Sequence, residues 1–223
     1  IPAFSDKAQE NIETFLNTFS AEAAQAVKAI EKTTNHDVKA VEYFLKEHCE
    51  KHNDLKPYIE FIHFACTSED INNLAYALMM RDVKEKILVP TLNTVLNTLN
   101  SFAKQYANLA MLSRTHGQTA SPTTLGKEFA NVAHRLKREI HTLEQLEIFG
   151  KMNGATGNFN AHVCAYPEIN WQDLSKQFVT SLGLNYNSHT TQIEPHDFMA
   201  EHFHSLARIN TILIDFARDV WAY

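Results

Sequence analysis

Glycine is scarce in this chain, 6 in 223 residues, well under half the usual share of ~7%. The six prolines are widely separated, so the closely spaced tight turns of an all-β protein are not encoded. Cys49, Cys66 and Cys164 are an odd set with no Cys-x-x-Cys spacing. That excludes a disulfide framework or a zinc knuckle and suits a reducing, cytoplasmic setting. Clustered cations are missing too. The longest basic run is Arg135-Leu136-Lys137-Arg138 in a chain of net charge -6, whereas a nucleic-acid surface needs dense cations to displace counterions. The longest apolar run, near Ala75 to Met80, falls far short of the ~20 residues that span a bilayer. No basic segment followed by an apolar stretch opens the chain. Neither nucleic acid nor membrane is therefore expected as a partner, and small acidic ligands held by local cations and helix ends remain.

What the chain does have is helical periodicity. Hydrophobic residues make up 44% and charged residues 21%, ordinary values for a globular chain, and apolar positions recur three and four apart. Residues 5–19, 21–33 and 38–50 read as short helices, with Ser5, Ser20 and Asn35 as first-turn caps. They form a small helical N-terminal unit, residues 1–57, that ends near Pro57. Residues 58–223 read as a long-helix bundle: 69–88 and 91–107 are separated by Pro90, which fits a first-turn position and would break or kink a continuous helix, and 123–149 and 197–223 follow. Leu92, Val95, Leu96 and Leu99 make one stripe, and Leu125, Phe129, Val132, Leu136, Ile140 and Leu143 another. At ~1.5 Å per residue the 123–149 helix would reach about 40 Å, a length suited to side-by-side packing that can continue between subunits. The fold class is all-α, with no internal repeat or strand alternation. The chain starts at Ile1 without Met and stops at Val220-Trp221-Ala222-Tyr223 inside a running helix, which reads as a piece of a longer protein.

Three polar connections separate the long helices: 112–122, 150–170 and 184–196. Long connections in a helical domain are where chemistry concentrates. His116, within Ser113-Arg114-Thr115-His116-Gly117-Gln118, is poorly explained by packing, and its imidazole can give or take a proton at neutral pH. Asn35-His36-Asp37 opens a helix: Asn35 or Asp37 caps it, or the imidazole beside free amides sits on an anion. Thr67-Ser68-Glu69-Asp70 fits a capping pattern and also offers hydroxyls and amides to a carboxylate or phosphate. His63 alone reads as a packed histidine, and Gln192 as an amide suited to a polar ligand. Glu60-x-x-His63 and Glu201-x-x-His204 have the spacing of di-iron bundles, but chance supplies about one such pair at this composition.

Taken together, Thr33 through Glu42, Phe64 through Asn73, Leu112 through Gln118 and Thr190 through Asp197 closely resemble the adenylosuccinate lyase family of the bacterial purine pathway. That family lies within the fumarase and aspartase superfamily, and the resemblance is colinear over essentially the whole chain. It implies a long-helix bundle that eliminates fumarate from adenylosuccinate, giving AMP, and from the succinyl-carboxamide ribotide. It implies no metal and no organic cofactor, and a homotetramer whose sites are shared between subunits. By position, Asn35, His36 and Asp37 match the nucleotide-contacting triplet, Thr67 and Ser68 the pair that holds an anionic group, and Gln192 a further substrate contact. His116 matches the catalytic histidine, the general acid for the departing nitrogen, and His63 a histidine near the site. Gly154-Ala155-Thr156-Gly157-Asn158 resembles a family loop in which Val is commoner than Thr156, and Thr119 stands where Pro is frequent. The mobile Met-Pro-x-Lys-x-Asn-Pro loop with its proton-abstracting serine is not among these residues, so this chain alone is expected to turn over negligibly. The alternatives are another fumarate-releasing lyase, which would not need the Asn35-His36-Asp37 contacts, or a non-catalytic helical scaffold.

Overall fold

The computed structural model describes residues 3–222. Ile1, Pro2 and Tyr223 lie outside the described residues, and with them the two chain ends discussed above. The chain forms two units. The first holds residues up to Ala75, Lys151–Val179 and Asn187–Glu194, and the second Tyr76–Gly150, Thr180–Tyr186 and the residues from Pro195 on.

The first unit starts with α1 (Asp6–Asn17), α2 (Ala21–Thr34) and α3 (Asp37–Glu50). Ser5 and Ser20 take up the amides of Ala8 and Ala23 at 3.2 and 3.3 Å, the caps that the sequence suggests. Phe15 of α1 packs at a tilt against Phe44 and His48 of α3, and Phe19 meets Phe15 and Phe44 edge-on. A 3-10 turn (Lys56–Phe61) leads to α4 (Ser68–Val83), which starts in this unit. Within the polar stretch 150–170, α7 (Asn160–Ala165) is helical, and α8 (Trp171–Ser181) follows it. Trp171 closes over His162, and its indole N–H donates to the Tyr166 carbonyl.

The second unit is built on α5 (Val89–Gln105), α6 (Leu125–Gln145) and α9 (Asp197–Ala222). The predicted α5 and α6 stripes form its core, where Leu92, Leu96 and Leu99 of α5 meet Val132, Leu136, Ile140 and Leu143 of α6; Ile209 and Ile212 of α9, which the sequence reading does not single out, complete it. Pro90 does not interrupt the helix. A π turn over Lys84–Leu88 carries α4 into α5, with the Val89 amide donating to the Lys84 carbonyl, so the missing proline N–H falls at the first turn of the new helix. Leu92, on the next turn, is packed in the core. Gly126 lets α5 and α6 approach: a Cβ there would stand 2.4 Å from the Ala103 carbonyl oxygen and 2.6 Å from the Ala107 nitrogen.

The strands were not foreseen. Residues 110–124, part of which reads as a loop in the sequence, form a hairpin of β1 (Ala110–Thr115) and β2 (Gln118–Thr124), with an irregularity between Leu112 and Arg114. A second, minimal pairing joins β3 (Phe149–Gly150) and β4 (Asn185–Tyr186). The fold class is unaffected, because both pairings are two-stranded and the helices carry the core.

Arg208 donates to Glu139 at 2.9 Å and Arg135 to Asp215 at 2.7 Å, tying α6 to α9. The Arg208 bond, against the opposing effect of burial and with help from Arg138, holds the Glu139 carboxyl below its ordinary 4.5. A lowered carboxyl contributes stability above its unfolded value and loses it as the pH falls through the folded one. Glu139→Gln should therefore lower the melting temperature at neutral pH, with the gap to the native protein closing below about 4.5; a gap independent of pH in melts would refute this. Gly126→Ala should cost about 1–3 kcal/mol in denaturant unfolding, because backbone rather than a flexible side chain must move.

Candidate functional site

The corner between α2 and α3 is set by backbone geometry. Asn35 closes α2 in the left-handed region (φ 50), a conformation asparagine tolerates. His36 then caps α3, its Nδ1 accepting from the Lys39 amide at 3.3 Å. Neither Asn35 nor Asp37 caps α3, as the packing alternative for this triplet had it. Nδ1 also lies 3.1 Å from Asp37 Oδ1, and Nε2 lies 3.2 Å from Ser68 Oγ. Asp37 receives the Asn72 side-chain amide at 3.0 Å and the Val38 amide at 2.8 Å. These bonds, the Asn72 one foremost, hold its carboxyl below the ordinary value. Asp37 is thus an anion at any physiological pH, in a position to orient rather than to exchange protons.

The start of α4 brings the second motif to the first. Ser68 Oγ is hydrogen-bonded to His36 Nε2, and Thr67 Oγ1 accepts from Gln192 Nε2 at 3.2 Å. The Thr67 hydroxyl oxygen is therefore a filled acceptor on one side, which leaves its hydrogen to donate to a ligand. Two hydroxyls at the positive end of a helix suit a carboxylate or phosphate. The sequence-predicted residues His36, Asp37, Thr67, Ser68 and Gln192 thus belong to one connected network, with Asn35 next to it in the chain.

Beneath the hydroxyls lies a carboxylate that sequence reasoning treated only as part of a cap. Asp70 is fully buried and accepts from the Thr67 amide at 2.9 Å, the half of a capping box that the Thr-x-x-Asp spacing signals. It also accepts the amides of Asn153 and Gly154 at 3.0 and 3.1 Å and pairs with Lys151 Nζ at 2.8 Å. Lys151, 0% exposed, gave no signal of burial, since a lone lysine in a polar loop reads as solvated. Asn73 takes the Lys151 amide at 2.8 Å and donates to its carbonyl at 3.0 Å. The glycine loop then presses on the Gln192 segment, for a Cβ on Gly157 would fall 2.3 Å from the Thr190 carbonyl oxygen.

Other predicted residues lie elsewhere. His63 is half-buried with left-handed backbone (φ 66), and its carbonyl accepts from the Cys66 amide. Among the described residues no hydrogen bond ties its ring to the network above. His116 belongs to the second unit, exposed at the tip of the β1–β2 hairpin. His116 and Gly117, at φ 52 and 73, form the two-residue loop between the paired Thr115 and Gln118, the arrangement of a type I′ turn. Burial pushes the Cys66 thiol up to about 11, with the Asp70 charge adding to it, so it is no nucleophile at neutral pH. Among the described residues no cluster of three or more His, Cys, Asp or Glu side chains is arranged to hold a metal, so the Glu-x-x-His pairs build no such centre.

Among the solved structures, a fumarate lyase from Mesorhizobium sp. BNC1 superposes with a TM-score of 0.80 at 22% identity, covering 100% of this chain and 49% of that one, a likeness of fold. The adenylosuccinate lyase of Escherichia coli (strain K12) is 54% identical over 223 residues, and that of Haemophilus influenzae 51%. Each match covers 100% of this chain and 49% of the relative, so the chain spans about half the length of these curated relatives. Residues 2–223 match the family described as Lyase. The bundle, the colinear motifs and this match agree, and the chain belongs to the lyase family.

Proposed function

We propose that this chain is part of an adenylosuccinate lyase, which eliminates fumarate from adenylosuccinate to leave AMP and from the succinyl-carboxamide ribotide to leave its carboxamide. The observation that carries the reading is the paired hydroxyls of Thr67 and Ser68, each held by a different neighbour at the start of α4. The 54% identity to a protein of that name over the whole chain supports the substrate. In this reading Thr67 and Ser68 donate to an anionic group of the succinyl moiety, Gln192 fixes a polar part of the substrate, and Asn35, His36 and Asp37 contact the nucleotide. His63 lines the site.

The chemistry is a β-elimination. A base takes the proton from the carbon next to the one bonded to nitrogen, the electron pair forms the fumarate double bond, and the carbon–nitrogen bond breaks. The nitrogen leaves with a pair of electrons and needs a proton. His116 supplies it, removing the cost of expelling an amide-like anion. Its place on an exposed hairpin tip supports this role, since a packed histidine would be shielded. The family resemblance assigns the base to a serine loop that is not among these residues.

Residues 1–57 would belong to an N-terminal helical domain and 58–223 to a central long-helix domain. The protein works as a cytoplasmic homotetramer with sites shared between subunits. Apolar side chains left exposed on α9, Phe203, Ile214, Val220 and Trp221, support the assembly. The free cysteines support a reducing setting, and no helix among the described residues is long and apolar enough to cross a membrane.

A spectrophotometric assay of adenylosuccinate cleavage, on the protein at the full length of its relatives, tests the acid assignment. His116→Ala should lower kcat by about 10²–10⁴-fold while substrate still binds; unchanged turnover would return His116 to a structural role. A panel of other succinyl compounds tests the substrate, and a preference for one without a nucleotide would overturn the reading.

A further inference from the structure

The hydrogen bonds around Asp70 close on themselves. The Thr67 amide donates to Asp70, which also accepts from the Asn153 amide. The Asn153 side-chain amide donates to Thr190 Oγ1 at 2.8 Å, and two residues along the chain Gln192 donates to Thr67 Oγ1. The ring thus runs Thr67, Asp70, Asn153, Thr190, Gln192 and back to Thr67. Asp70, Asn153 and Lys151 are all 0% exposed, so they cannot touch a ligand in solution, while the hydroxyl and the amide that close the ring are on the exposed side.

Resting on the function proposed above, we propose that Asp70, Asn153 and Thr190 are positioning residues, which hold Thr67 and Gln192 in the one mutual placement where both can serve the anionic end of the substrate. The reason lies in the reach of the parts. Thr67 and Gln192 are 125 positions apart in sequence and sit on polar connections with little core of their own. A single 3.2 Å bond between two partly exposed side chains competes with water and holds little by itself. Backing it with a buried carboxylate, its lysine and a buried amide transfers the rigidity of the interior to the ligand-facing pair. Gly157 works to the same end, since its lack of a Cβ lets the loop that carries Asn153 lie directly on the Thr190 and Thr191 carbonyls.

The discriminating variants are Thr190→Val, which keeps the shape and removes the acceptor of the Asn153 amide, and Thr190→Ser, which restores it. They leave the buried charges intact, so loss of folding does not obscure the result. On the protein at the full length of its relatives, Thr190→Val should raise KM for adenylosuccinate about three- to tenfold with kcat within about twofold, the signature of weakened binding shared by ground and transition states. Thr190→Ser should return KM to the native value, and the melting temperature, lowered by a few degrees in Thr190→Val where the buried Asn153 amide loses its acceptor, should return with it. An unchanged KM in Thr190→Val, or a KM rise that Thr190→Ser does not reverse, would overturn the proposal. A second readout does not depend on the reaction: the 13C-methyl resonance of Thr67 should move in Thr190→Val and return in Thr190→Ser. If the native protein does not cleave adenylosuccinate, the function fails while the methyl shift still decides the ring; an unmoved Thr67 resonance refutes the positioning role.

Discussion

An ionised carboxylate taken fully out of water costs several kcal/mol unless its oxygens are met by donors and an opposite charge. Asp70 meets that requirement with the amides of Thr67, Asn153 and Gly154 and the ammonium of Lys151. The first unit is organised around it. These partners come from the start of α4 and from the connection that follows β3, and they must all arrive for any of them to be satisfied. Removing one would leave a buried charge or a buried amide alone, which is costlier than the bond itself is favourable. The polar connections therefore have a defined shape without an apolar core of their own.

Ligand-facing groups are layered outward from that centre. Thr67 and Ser68 stand on the first turn of a helix whose start is held from below, and His36 and Gln192 reach them from other segments. Left-handed backbone recurs at Asn35, His63 and Ala65, in the segments leading into α3 and α4, and at His116, Phe159 and His196 within the polar connections. Such conformations persist where surrounding contacts over-determine them, and they often accompany function. Here they allow abrupt changes of direction, α2 into α3 in two residues and β1 into β2 in two, which bring side chains to points that regular elements would bypass.

The second unit obeys different physics. Its stability rests on apolar stripes at helical spacing, on the close approach at Gly126, and on ion pairs between α6 and α9. The π turn before Pro90 belongs to the same logic. A helix can pass a proline when one wider turn re-routes the carbonyl that the ring leaves unpaired, and the burial of Leu92, Leu96 and Leu99 favours continuation.

Much of this was legible in the residues. The stripes of α5 and α6 predicted the bundle because burial selects one face of a helix and period 3.6 displays it. Ser5 and Ser20 announced their caps. The hairpin around His116 was not legible as strands. No residue of this two-stranded ribbon is fully buried and its half-buried positions include Ser113 and Thr123, so the sequence carries no apolar period-2 signal, and His-Gly stands where Asn-Gly would have marked the turn. Alone, then, the sequence determined the helical class, the apolar stripes of α5 and α6 and the motifs that carry chemistry, since these follow from local spacing and side-chain type. Only the tertiary structure decided that His36 rather than its neighbours caps α3, that Lys151 is buried beside Asp70, and that Gln192 meets Thr67. The last two pairings join segments far apart in the chain, and a hydrogen bond between distant residues leaves no periodic trace in either one.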